Sequence, residues 1–109
     1  MTTPLERDVL AVILDYLNTL PDTVAWRNNT GAVSAEYKGK RRFIRYGVRG
    51  GADVFSIQKG RFIAVEVKRQ GKKPTPDQAA FLEMVREHGG VGIWADSLEM
   101  LVMKLGEEQ

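Results

Sequence analysis

Asp53, Glu66 and Lys68 are the residues of this chain best equipped for chemistry, standing in two neighbouring segments, Gly51-Ala52-Asp53-Val54 and Val65-Glu66-Val67-Lys68. A strand through the second segment puts Phe62, Ala64, Glu66 and Lys68 on one face and Ile63, Val65 and Val67 on the other. Asp53 opens the preceding strand, within reach of that polar face across the sheet. Two carboxylates offer hard oxygen ligands to a divalent cation, and a lysine beside them adds a mobile positive charge. Magnesium takes about six oxygens at roughly 2.0–2.1 Å and keeps several waters. Asp53 and Glu66 would supply carboxylates, and Val67 a main-chain carbonyl. Glu6 is a candidate third carboxylate, because Leu10, Ile13 and Leu17 lie below it on one helical face. Its alternative role is to close a capping box with Thr3.

Other side chains carry two readings each. Lys68 either offsets the charge of Glu66, or positions a water and stabilises the negative charge of a phosphoryl-transfer transition state. Gln78 either orients that water or Lys68, or serves as the third residue of a capping box. Asp77 suits the positive end of its helix dipole, and His88 the negative end. Trp26 is read as a core residue rather than a base-stacking platform. Arg27 and Asn28 could face phosphate, although turn chemistry accounts for the asparagines. A single histidine and no cysteine exclude a histidine metal cluster, a thiolate nucleophile, a zinc-thiolate site and a disulfide framework. The glycines at 47, 50 and 51 match neither a Walker loop nor a dinucleotide fingerprint.

The elements that must hold these residues can be read along the chain. Thr3-Pro4-Leu5-Glu6 predicts a helix start with Thr3 as N-cap, and the apolar spacing predicts a helix to about Leu20. A strand begins at Val24-Ala25-Trp26, and residues 32–46 form a ragged hairpin with Lys38-Gly39-Lys40 at its tip. Strands from Asp53 to Gln58 and from Arg61 to Lys68 are joined through Lys59-Gly60. Thr75-Pro76-Asp77-Gln78 opens a second helix, which Gly89-Gly90 stops. Val91 to Ala95 is a buried strand, and Ser97 caps a last helix. The expectation is one α/β domain over 1–109 with a mixed β-sheet flanked by helices.

The net charge is only +2, but it is unevenly spread. Lys38, Lys40, Arg41, Arg42, Arg45 and Arg49 crowd the middle of the chain, with Lys68, Arg69, Lys72 and Lys73 as a second group. Clustered cations of this kind suit a polyanion, nucleic acid first among them. No apolar run approaches the roughly 18 residues that span a bilayer. The start does not resemble a signal peptide, so a cytoplasmic location without membrane association is expected.

An acid on a first helix, then Gly-x-x-Asp, Glu-x-Lys and a glutamine on the next helix, resemble the PD-(D/E)xK nuclease superfamily. More closely, the chain resembles the VRR-NUC (virus-type replication-repair nuclease) domain. The likeness rests on Trp26 to Gly31, Gly50 to Val54, Gly60 to Lys68, Thr75 to Phe81 and Gly89-Gly90-Val91. One departure is Gly51-Ala52 where the superfamily's name has a proline before the aspartate. The resemblance implies a restriction-endonuclease-like core and a phosphodiesterase acting on DNA with Mg²⁺ or Mn²⁺. Asp53, Glu66 and Lys68 would be its catalytic core, with Glu6 and Gln78 flanking. It also implies a stand-alone phage or bacterial type, acting in a bacterial host or phage-infected cell. The expected substrate is branched DNA, such as a flap or Holliday junction, in replication or repair. A homodimer would present two sites to two strands, and a helicase or replication protein is an implied partner. Lys38, Lys40, Arg41, Arg42, Arg45, Arg49, Lys72 and Lys73 would track the DNA backbone. The competing expectation is a nucleic-acid-binding module that keeps the fold without catalysis.

Overall fold

The computed structural model describes residues 4–28, 31–37, 40–46 and 51–108, with the description of 31–37 and 40–46 confined to the backbone. The elements in chain order are α1 (Glu6–Leu17), β1 (Thr23–Arg27), β2 (Gly31–Tyr37), β3 (Lys40–Tyr46), β4 (Val54–Gln58), β5 (Arg61–Val67), α2 (Pro76–Glu87), β6 (Val91–Ala95) and α3 (Leu98–Glu107). Four strands form one sheet in the order β1-β4-β5-β6, while β2 and β3 pair with each other. Neighbours β1–β4 and β4–β5 are antiparallel, and β5–β6 are parallel, so the sheet is mixed.

The mixed character follows from the connections. Lys59 and Gly60 both take positive φ, 51° and 81°, the pattern of a tight two-residue turn that turns β4 directly into β5. The β5–β6 connection instead carries α2, which parallel neighbours require. Both faces of β5 are therefore covered. Ile63, Val65 and Val67 pack with Ile13 and Leu17 of α1, Leu101 and Leu105 of α3, and Val91 and Ile93 of β6. On the opposite face Ala64 packs with Leu82 and Val85 of α2 and with Ala52. The domain is an α/β sandwich with α1 and α3 below the sheet and α2 above it.

The helix ends explain themselves locally. Thr75 Oγ1 accepts the N–H of Gln78, and Gln78 Oε1 accepts the N–H of Thr75, closing the expected capping box. At the other end Gly89 takes φ 90°, and the N–H groups of Gly89 and Gly90 donate to Arg86 and Val85, forming a Schellman motif. Ser97 caps α3 by accepting from the N–H of Met100 at 3.1 Å.

The first helix departs from expectation. Leu5 occupies the N-cap position and its carbonyl takes the first helical N–H groups, so Glu6 is the first helical residue. Leu5 rather than Thr3 is thus the N-cap, and the Thr3 half of the expected capping box lies outside the described residues. The helix also ends at Leu17 rather than near Leu20. Asn18 then turns its amide onto β1, donating to the Ala25 carbonyl at 3.0 Å and accepting the Ala25 N–H at 2.9 Å. That side chain satisfies an edge-strand peptide as a neighbouring strand would.

Gly92 marks the closest approach of α2 to the sheet. A Cβ placed there would stand 2.4 Å from the main-chain oxygen of Leu82, a backbone atom with no freedom to retreat. Gly92→Ala is expected to destabilise the fold by at least about 2 kcal/mol through overpacking, read as a lower midpoint in urea unfolding. An unchanged midpoint would mean that α2 can ride higher on the sheet without loss.

Candidate functional site

The candidate site lies where β5 runs out and α2 has yet to begin. Asp53 stands one residue before β4, and its N–H donates to the Val65 carbonyl at 3.1 Å. This fixes the aspartate beside the end of β5. Its Oδ2 then accepts the Val67 N–H at 2.8 Å. Asn28 supports the same turn from β1: its main-chain N–H donates to the Asp53 carbonyl at 2.8 Å, and its side chain to the Ala52 carbonyl at 3.0 Å. The asparagine is thus a brace for the aspartate, a role beyond the phosphate contact and the turn chemistry expected of it.

Glu66 is 2% exposed, one of two buried polar residues among those described, and its Oε2 has no hydrogen-bond partner. Burial drives its pKa upward first; the neighbouring Asp53 carboxylate, close enough to share a proton, adds to the rise. Lys68 opposes the shift, Glu6 adds a little to it, and the result is a pKa of about 8. Glu66 therefore retains its proton at neutral pH.

Lys68 follows directly on β5, its main-chain N–H donating to the Ala95 carbonyl at 2.9 Å. Its ammonium donates to Gln78 Oε1 at 3.2 Å. The same oxygen accepts the Thr75 N–H at 2.8 Å, so the capping role and the lysine-orienting role of Gln78 coexist on one atom. The start of α2 thereby holds the lysine.

The remaining candidates are less gathered. Glu6 is exposed at the start of α1, above the buried Leu10, Ile13 and Leu17, and acts on Glu66 through its charge. Among the described residues no three acidic or histidine side chains converge as a metal-ligand group, so Glu6 does not complete one with Asp53 and Glu66 in this conformation. Lys72 and Lys73 are exposed on the loop between Lys68 and α2. Lys40, Arg41, Arg42 and Arg45 lie on β3, described as backbone, while Lys38 and Arg49 lie outside the described residues.

Trp26 corrects an expectation. It is not core but 41% exposed, on the face of β1 opposite the buried Ala25. Residue alternation was compatible with either face. Only α1, packed under β1, determined that Ala25 and not Trp26 would be covered.

The class that fold and site define is an α/β domain whose central strand ends in a buried glutamate beside an aspartate and a tethered lysine. No protein-family model, curated protein or solved structure matches the chain. Among the described residues no helix is long and apolar enough to cross a membrane.

Proposed function

We propose that the chain is a VRR-NUC-type nuclease of the PD-(D/E)xK superfamily, hydrolysing phosphodiesters in DNA with a divalent cation. The observation that carries this reading is Glu66: a buried carboxyl with one oxygen unpartnered, paired with Asp53 and flanked by Lys68. Burying such a group costs several kcal/mol unless something pairs with it. A hard cation would satisfy the orphaned oxygen and favour the ionised form of Glu66. Asp53 and Glu66 would hold Mg²⁺ or Mn²⁺, with the Val67 carbonyl and, after a shift, Glu6. When bound, the ion polarises a phosphoryl oxygen and acidifies water.

The protein's own groups do the rest. Glu66 must release its proton before it can act as a ligand. Lys68 offsets the charge that develops on the phosphoryl oxygens, and Gln78 keeps its ammonium turned toward the carboxyl pair. Lys72 and Lys73, with the cations of segment 38–49, supply the attraction for the backbone and the salt sensitivity that accompanies it.

Two measurements test this together. Mg²⁺ or Mn²⁺ is expected to raise the melting temperature of the wild type, and Asp53→Ala to abolish the shift. The wild type is expected to cut one or more of a labelled panel of single strand, duplex, flap, splayed arm and four-way junction with metal, and none in EDTA. Binding across the panel with no cleavage under either metal, and no thermal shift, would instead establish a non-catalytic nucleic-acid-binding module. The expected dimer and a cytoplasmic setting in a bacterial or phage-infected cell belong to this proposal, and a solution mass near 12.2 kDa would remove the dimer.

A further inference from the structure

Among the described residues, only half of the upper face of the sheet is covered. Helix α2 packs on β5 and β6, leaving the β1 and β4 side with Val24, Trp26 and Ile57 exposed, and Phe62 beside them. Cross-strand partners share a face, and the register Trp26↔Phe55↔Ala64 puts the indole on the same face as Glu66. Asp53, two residues before Phe55, belongs to that face as well. Trp26 is therefore one strand across and two residues along from Asp53, about 8 Å by strand spacing and rise.

The indole is also braced. Phe55 meets it edge-on, with ring centroids 6.2 Å apart at 78°, and Phe55 is itself packed against Phe62 and Phe81. An exposed aromatic ring fixed from behind loses little freedom on receiving a flat partner. The charge of the segment that follows it in the sequence indicates what that partner is. The chain leaves the sheet at Trp26-Arg27-Asn28 and returns at Gly51-Ala52-Asp53. Between them the sequence carries Lys38, Lys40, Arg41, Arg42, Arg45 and Arg49, with Glu36 the only acid. A connecting segment this basic, joined in sequence to the strands of Trp26 and Asp53, attracts a polyanion such as a polynucleotide.

We propose that Trp26 is a stacking platform for an unpaired base next to the phosphate attacked beside Asp53 and Glu66. This rests on the nuclease reading above and deepens it: the preferred substrate has a single-stranded segment at the cut. Base–aromatic stacking is sequence-tolerant, since every base has a flat face, so it selects unpaired DNA rather than a sequence.

The test is binding in EDTA, which separates affinity from cleavage, using a labelled single strand, a splayed arm and a blunt duplex. Trp26→Ala is expected to weaken single-strand and splayed-arm binding at least about fivefold and to leave the duplex unchanged, while Trp26→Phe retains most of the affinity. In Trp94→Phe, where Trp26 is the remaining tryptophan, single-strand binding is expected to quench its emission, a readout that needs no change at Trp26. Equal losses on all three probes, no loss on any, or unquenched emission would overturn the platform. So would a Trp26→Ala protein that sediments as a monomer where the wild type is a dimer, since the face would then belong to a second copy. Wild type that binds none of the probes defeats the nuclease reading as well; wild type that binds and cuts, with Trp26→Ala equal to it on every probe, defeats the platform alone.

Discussion

Replacing Lys68 with alanine is expected to slow phosphodiester cleavage by about 10²–10³-fold, the range for losing one preorganised group at a developing negative charge. Binding in EDTA should change only a few-fold, because exposed cations such as Lys72 and Lys73 remain. Single-turnover rates at saturating DNA and metal isolate this effect from affinity. The structure adds a second arm. Gln78 Oε1 holds both the Lys68 ammonium and the Thr75 N–H. Gln78→Ala should thus cost about 1 kcal/mol of stability through the lost cap, together with a rate loss smaller than that of Lys68→Ala. If Lys68→Ala cuts within threefold of wild type, the lysine serves only to offset Glu66.

Glu66→Gln is expected to change how stability depends on pH. The folded state holds the Glu66 proton up to about pH 8, whereas the unfolded chain releases it near the ordinary value of 4.5. Between those limits the native state binds more protons than the unfolded state, so stability falls as pH rises. Below about pH 4.5 the group contributes no slope, and above about pH 8 the loss is complete. At about 1.4 kcal/mol per pH unit the full loss is at most about 5 kcal/mol. The groups facing Glu66 are Asp53 before β4, Lys68 after β5 and Glu6 on α1, and of these only Lys68 opposes the rise. Glutamine keeps the shape and can donate to Asp53 without a charge to lose. In EDTA, the variant should match wild type near pH 4 and exceed it in urea unfolding at pH 8. Parallel pH profiles for the two proteins would show that Glu66 ionises freely despite its burial.

The local devices were legible along the chain. The Thr75–Gln78 capping box, the Lys59-Gly60 turn, the Gly89-Gly90 stop and the Ser97 cap each depend on residues a few positions apart. Backbone geometry and short-range hydrogen bonds specify them before anything packs. The faces of β5 were legible for the same reason, since pleat alternation is a property of one strand. The mixed sheet flanked by helices then follows from a tight turn on one side of β5 and a helical crossover on the other.

The errors fall where two readings are locally equivalent. Thr3 and Leu5 both stand near a plausible helix start, and the observed start takes Leu5 as N-cap. Trp26 and Ala25 alternate, and neither carries the information about which face α1 would cover. Both roles of Gln78 were legible as alternatives, but their coexistence on one oxygen, like the brace that Asn28 gives Asp53, depends on partners ten or more positions away, across loops whose course no spacing reveals. The sequence by itself determined which residues could do chemistry and on which strand face they stand. Tertiary structure alone decided that Glu66 would be buried with an oxygen unpartnered and that Trp26 would remain in solvent. Burial is set by what packs against a face, and packing is a property of the assembled layers rather than of any one segment.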